Sequence, residues 1–270
     1  MAGVSLSSSS MPEGSKLWVL DLGNLNTDTS GILSGSNTRP YNAPIQAPNR
    51  RDLTMIAALI YHPDVGLILY DTGSAEDVIA NWDKHVVECT PRTWQKEVHG
   101  LAEAIHASGA GEIGDVKAIV MSHLHMDHAG GLENFFDTPV EIWCHEAELK
   151  NAFWTCATGI ERTLYLPEYL QLKRLNWKTF NTDTFEIWNG VTLHRCSGHT
   201  EGSIVMELQL PITGTIVMTG DMFHVKENYE LGWPHGSLMR DFNHWHRNRT
   251  LVRQLVARKK AKVLLGHDPE

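Results

Sequence analysis

One ten-residue stretch constrains this chain more than any other: Ser122-His123-Leu124-His125-Met126-Asp127-His128-Ala129-Gly130-Gly131. Four potential metal ligands fall within six residues, directly after the apolar run Lys117 to Met121, which reads as a short strand. Alternating His123 and His125 would point apart on a helix, whereas the end of an extended strand lets them converge. Asp127 and His128 then require the chain to turn, and Gly130-Gly131 suits a turn leading into a helix. Imidazole together with carboxylate suits zinc or another borderline divalent metal. The alternative, four unrelated polar residues at a strand end, asks much more of chance.

Around this cluster the chain alternates β-runs with helices. Strands are predicted at Lys16 to Leu22, Met55 to Tyr61, Leu67 to Tyr70, Val140 to Cys144, Val191 to Arg195, Ile204 to Leu210, Thr215 to Met218 and Lys262 to Leu265. Pro63-Asp64-Val65-Gly66 and Thr213-Gly214 read as turns. Helices are predicted at Leu101 to Ala107, with Gly109 as its stop, at His145 to Trp154, and from about His244 to Arg258. The Gly-, Ser-, Asn- and Pro-rich segment Gly23 to Asn49 reads as a long loop, of the kind that often borders a functional site. Phe153 to Phe180 reads as aromatic and irregular. Residues 1–15 are expected to be a flexible tail and 16–270 a single domain of two packed sheets with helices outside.

Charge removes one class of function. The net charge is −9, and the one basic run, Arg258-Lys259-Lys260, suits a solvated helix face, so no nucleic-acid partner is expected. The Ser-rich start has no apolar core and is not a secretory signal. The apolar stretch Met55 to Tyr70 is broken by His62-Pro63-Asp64 and is too short to span a bilayer, so no membrane partner is expected. Cys89, Cys144, Cys156 and Cys196 are widely spaced and read as inert thiols of a cytoplasmic protein.

The His cluster and four further pieces, in order along the chain, resemble the metallo-β-lactamase superfamily. H-x-H-x-D-H after a strand is its hallmark. Asp71-Thr72-Gly73 resembles its early Asp-x-Gly motif, Gly198-His199-Thr200 its Gly-His-Thr/Ser motif, Thr219-Gly220-Asp221 its Gly-Asp motif, and Gly266-His267-Asp268 its final Gly-His. The resemblance runs from about Leu17 to Asp268 and implies a four-layer αββα sandwich of the α/β class. It also implies two metal sites, with two Zn2+ per chain. His123, His125 and His199 would hold one metal; Asp127, His128 and His267 would hold the other; Asp221 would bridge them, and Asp71 would orient a ligand histidine. Taken singly, His199 and His267 are ordinary loop histidines, and Asp71 and Asp221 ordinary turn residues, as often as not. None of the other histidines is expected to bind metal.

The implied chemistry is attack on a carbonyl by a hydroxide bridging the two metals, with Asp127 orienting it or passing on its proton. No G-x-S-x-G nucleophile elbow competes with that reading. Within the superfamily, the order of motifs and the form S-H-L-H-x-D-H-A-G-G are most similar to the N-acyl-homoserine lactonase-like group, which includes fungal lactone and lactam hydrolases. A small lactone, or a lactam such as a benzoxazolinone, is therefore the expected substrate, and a monomer or homodimer the expected state. Trp154, Tyr165, Tyr169 and Trp177 are read either as a pocket wall for a flat or apolar substrate or as core.

Three departures stand out. Three residues after the bridging aspartate the lactonases often have a carbonyl-polarising tyrosine; here it is His224, expected to take that catalytic role. Ser203 replaces a second histidine, as in many relatives. The sequence also runs only three residues past His267. A glyoxalase-II-like thioesterase shares the ligand set but would bring a further helical domain after the β-core. A mononuclear iron persulfide dioxygenase would not need both ligand sets.

Overall fold

Strands buried on both faces are apolar at nearly every position, and this chain has several. The computed structural model describes residues 9–161, 163–168, 170–171 and 173–269. In chain order they form β1 (Lys16–Asp28), α1 (Thr29–Ile32), β2 (Arg50–His62), β3 (Gly66–Tyr70), α2 (Val78–Asn81), α3 (Lys84–Cys89), β4 (Arg92–Thr93), α4 (Lys96–His99) and α5 (Leu101–Ser108). There follow β5 (Val116–Val120), α6 (Met126–Ala129), β6 (Glu141–His145), α7 (Glu146–Thr158), β7 (Asn176–Phe180), β8 (Thr184–Trp188), β9 (Val191–Arg195), β10 (Ile204–Leu210), β11 (Gly214–Met218), α8 (Phe242–Lys259) and β12 (Lys262–Leu264). One sheet has the order β4-β1-β2-β3-β5-β6-β7 and the other β12-β11-β10-β9-β8.

Three apolar interfaces make these into four layers. Leu59, Leu69, Ile119 and Ile142 on the outer face of the first sheet pack under Ile105 of α5 and Ala152 of α7. Their alternate neighbours Ala58, Ile60, Ile68, Tyr70 and Val120 face Leu193, Ile204, Met206 and Met218 of the second sheet. Val205 and Val217, on that sheet's other face, pack against Trp245 and Val252 of α8. The period-2 alternation of β2, β3 and β10 thus serves two cores at once. Full burial of each such aliphatic side chain stabilises the fold by roughly 1.5–3 kcal/mol. The expected αββα sandwich is the fold observed. Among the described residues, no helix is long and apolar enough to cross a membrane.

Some elements differ from expectation. The first strand continues to Asp28, because Asn24 to Asp28 resume pairing with Thr54 to Arg50 after a register shift beyond Asp21. The long loop therefore shrinks to residues 33–49, with α1 before it. It packs on the segment that follows Asp221: Ser34 N–H donates to the Pro234 carbonyl, and Trp233 Nε1 to the Ser34 carbonyl. The segment read as irregular opens as the end of α7 and closes as β7, paired in parallel with β6; β8 follows it unforeseen. Residues 1–8 of the expected tail lie outside the described residues. Further on, Met11 is docked rather than loose: it is buried in the inter-sheet core, and its N–H donates to the Gln209 carbonyl.

Candidate metal centre

Parallel strands bring their carboxyl ends to one rim, where open α/β sheets bind ligands. Here β3 runs parallel to β5 and β11 parallel to β12. Asp71 follows β3, the histidine motif follows β5, Asp221 follows β11 and His267 follows β12. The loop from β9 to β10 adds His199 at the same rim. All seven expected ligands, and Asp71, meet there.

They divide into two sets. In the first, His199 Nε2 lies 3.2 Å from His123 Nε2 and 3.1 Å from His125 Nδ1. In the second, His128 Nε2 and His267 Nε2 are 3.2 Å apart, with Asp127 Oδ2 3.8 and 3.6 Å from them. Asp221 faces both. Its Oδ2 is 3.4 Å from His199 Nε2 and 3.8 Å from His123 Nε2, while its Oδ1 is 3.1 Å from His267 Nε2 and 3.2 Å from His128 Nε2.

The geometry fits metal ions. Two nitrogens on one tetrahedral zinc, each about 2.0–2.1 Å from it, stand roughly 3.3 Å apart. Among the described residues, buried Asp221 Oδ1 accepts no well-aligned hydrogen bond, although His267 Nε2 and His128 Nε2 stand 3.1 and 3.2 Å away, an arrangement that suits three ligand atoms around one cation. The far side of several rings supports the same reading. His128 Nδ1–H donates to Asp71 Oδ2 at 2.9 Å and His267 Nδ1–H to the Thr54 carbonyl at 3.0 Å. Ser122 donates its hydroxyl proton to Asp71 Oδ2 at 2.6 Å, so its oxygen accepts from His123 Nδ1–H at 3.0 Å. Each bond spends the Nδ1 proton and leaves the Nε2 lone pair aimed inward.

Asp71 reaches both partners from a backbone φ of 62°, uncommon for a residue other than glycine. Its Oδ1 also accepts the Ser122 N–H at 2.7 Å.

Charge separates the two sets. Burial holds the imidazoles of His123, His125 and His199 well below the ordinary histidine value, so they stay neutral. Burial pulls His128 and His267 the same way, but Asp221 and then Asp127 outweigh it. His128 ends well above the usual value and His267 above it. In return His267, His128 and His224 overcome the burial of Asp221 and hold its carboxyl well below the usual carboxylate range.

Three side chains at the rim escaped the sequence reading. Ser122 was read only as a motif letter. His235, one of the histidines not expected to bind metal, is buried with its Nε2 3.2 Å from His224 Nδ1. His224 Nε2 in turn stands 3.1 Å from Asp221 Oδ2, so both these histidines crowd the centre. Glu148, fully buried in the first turn of α7, accepts hydrogen bonds from two of the ligand loops. No spacing rule marks a lone histidine or glutamate, and only the fold brings them in.

The aromatic stretch behaves mostly as core and surface. Trp154 is half exposed, and Trp177 lies partly buried in β7. Tyr165 is buried with its ring 4.8 Å from that of His125. Tyr169 lies outside the described residues. Burial raises the pKa of the Cys144 thiol, pushes Cys156 up to about 11 and Cys196 to about 12, so these three are poor nucleophiles. A cavity of about 480 Å³ lies between α8 and the ends of β8 and β9, behind the His199 loop rather than over the histidine sets.

The family model described as metallo-beta-lactamase superfamily matches residues 52–267. The chain is 28% identical over 267 residues to the N-acyl homoserine lactonase AiiB of Agrobacterium fabrum, covering 95% of each chain. It is 30% identical over 208 residues to an N-acyl homoserine lactonase of a Bacillus species, covering 76% of this chain and 78% of the other. A crystal structure of an AiiA mutant from B. thuringiensis, with N-decanoyl-L-homoserine at its active site, matches with a TM-score of 0.78 at 24% identity. That match covers 97% of this chain and 94% of the other. AidC, a dizinc quorum-quenching lactonase, matches at 0.68 and 18%, covering 97% and 92%. At such identities the two structures speak for the fold alone. The family match, in contrast, spans every strand end that contributes to the rim, and this chain belongs to the metallo-β-lactamase superfamily.

Proposed function

We propose that this hydrolase opens a small lactone of the N-acyl-homoserine lactone kind, using two zinc ions. His123, His125 and His199 would hold one ion, Asp127, His128 and His267 the other, and Asp221 both. The observation that carries the reading is Asp221, whose two oxygens each face a different histidine set. The likeness to the AiiB lactonase over 95% of both chains supplies the substrate class. When bound, the ions would supply an activated water and polarisation of the ester carbonyl.

The chain's own residues do the rest. Asp127 is the most exposed of the seven, at 13% of its side chain against 4% or less for His128, Asp221 and His267. It is the member that incoming water meets, and its carboxylate, through the oxygen turned away from the His128 and His267 nitrogens, would take up the proton released on attack and return it to the leaving alkoxide. His224 Nε2, 3.1 Å from Asp221 Oδ2 but with no well-aligned hydrogen bond among the described residues, donates to the carbonyl oxygen where the lactonases often have a tyrosine. Asp71, Ser122 and Thr54 keep the ligand rings turned. Residues 16–270 act as one domain in this reading.

Metal per chain from elemental analysis, combined with a panel of γ-lactones, homoserine lactones of short and long acyl chain, benzoxazolinone and S-lactoylglutathione, tests the proposal. Two zinc equivalents with lactone opening, abolished in His123→Ala and Asp221→Ala, is the expected result. Lactam opening alone would move the substrate class, and thioester cleavage alone would replace the activity. A folded protein that takes up no metal would end the reading.

A further inference from the structure

The Glu148 carboxylate has no part in the chemistry described above, yet it is fully buried and takes four hydrogen bonds. Its Oε1 accepts from the Leu124 N–H at 2.9 Å and the Tyr165 hydroxyl at 3.0 Å. Its Oε2 accepts from the Thr200 hydroxyl at 2.7 Å and the Gly202 N–H at 3.0 Å. Leu124 sits between His123 and His125, and Thr200 directly follows His199. One carboxylate therefore fastens the loop after β5 in the first sheet to the loop between β9 and β10 in the second. Those are the loops that carry the three nitrogens of the first histidine set.

The backbone is built to allow this contact. A Cβ on Gly202 would fall 2.2 Å from the Glu148 nitrogen, so only glycine lets this loop lie against the start of α7. The Tyr165 ring that donates to Oε1 also stands edge-on to the His125 ring, and Asn151 Nδ2 donates to its oxygen at 3.2 Å. Two of the four donors are backbone N–H groups, one on each oxygen, so both oxygens must act as acceptors. Among the described residues no lysine or arginine pairs with Glu148. Its negative charge rests on fixed dipoles and on whatever cation occupies the neighbouring histidine set.

We propose that Glu148 is a positioning residue that sets the affinity of the first metal, by holding the His123–His125 loop and the His199 loop at ligand spacing. It differs from Asp71, which acts on a ligand ring: Glu148 acts on loop backbone and touches no ligand atom. The proposal rests on the dimetal reading above.

Glu148→Gln is the sharpest variant. A carboxamide has one acceptor oxygen, so whichever way it turns, either Leu124 or Gly202 is left with its N–H against an NH2 group. Metal content is measured after dialysis against graded chelator. Wild type should hold two zinc ions, and Glu148→Gln should lose one of them at a chelator concentration roughly 10–100-fold lower. Its kcat should fall at low free zinc and recover when zinc is added, with KM nearly unchanged. Tyr165→Phe and Thr200→Val, each removing one donor, should give smaller losses in the same direction. They carry the test should Glu148→Gln not fold.

The site of action comes from two backgrounds. With the second set disabled by Asp127→Ala, Glu148→Gln should weaken the remaining metal. With the first disabled by His123→Ala, it should change nothing. Equal weakening in both backgrounds, or no weakening in any of the variants, overturns the proposal. Fewer than two zinc ions in wild type would instead overturn the dimetal reading beneath it.

Discussion

His224 and His235 form a buried pair behind the shared carboxylate, and their order of action can be separated. His224→Ala should lower kcat by about 10²-fold or more while leaving two metals in place, because a donor is lost and a ligand is not. His224→Tyr should recover much of the rate. His235→Ala should fall between, since it frees the His224 ring without removing it. Turnover and metal content measured on the same preparations check all three. The raised values of His128 and His267 give a second prediction, on pH. A raised histidine keeps its proton to higher pH in the metal-free chain than a free imidazole does, and its nitrogen binds a metal only after losing that proton. Metal uptake at pH 7 should therefore release protons, and affinity should rise with pH until both histidines are neutral. Calorimetry in buffers of different ionisation enthalpy would reveal it; zero release would contradict the charge state assigned to the pair. Residues of this rank divide by legibility. His123, His125, Asp127 and His128 could be read from their spacing after a strand, whereas His199, Asp221 and His267 were legible only through the resemblance to the superfamily. Glu148, His235 and the left-handed backbone of Asp71 could not, since each acquires its meaning from a contact across more than ten positions of chain.

At the scale of elements, the strands that serve two cores were the easiest to read. Ile204–Leu210 has the expected bounds because nearly every side chain in it is buried. The ends of β1 and the short β7 and β8 were not, being polar or partly exposed, with pairing settled by neighbours rather than by their own pattern. The two glycines closing the histidine motif have a reason visible only here. A Cβ on Gly131 would lie 2.2 Å from the Thr72 carbonyl oxygen, and one on Gly130 2.0 Å from the Ala75 nitrogen. They let α6 sit directly on the turn that carries Asp71. Gly131→Ala should force those backbones apart, destabilising the protein by roughly 1–3 kcal/mol. It should also weaken metal at the His128 set before the His123 set, because the turn it displaces holds His128. Urea denaturation with metal titration would show both, and an unchanged midpoint would contradict the contact.

For the whole molecule, the αββα layering was implied by the resemblance, and three apolar interfaces account for it. The relative weight of its two rims was not visible in the sequence. Every candidate ligand lies where β3, β5, β9, β11 and β12 end, so at that rim the two sheets face each other through buried histidines and carboxylates. Elsewhere they meet mostly through hydrocarbon, with His62 against the Asn189 carbonyl as a polar exception. Hydrocarbon attracts whatever the metal content, but a ring of lone pairs and negative oxygens is drawn together more tightly by metal cations than by the imidazolium groups of His128 and His267 that face Asp221 without them. Chelation should therefore act on this sandwich as opening a clasp acts on a locket. Amide exchange should quicken in the loops at 122–128, 198–203 and 219–224 and stay slow in the strand centres at Ile60, Ile68 and Met206. Such a molecule would register the supply of free zinc as looseness along a single edge, well before its core gave way.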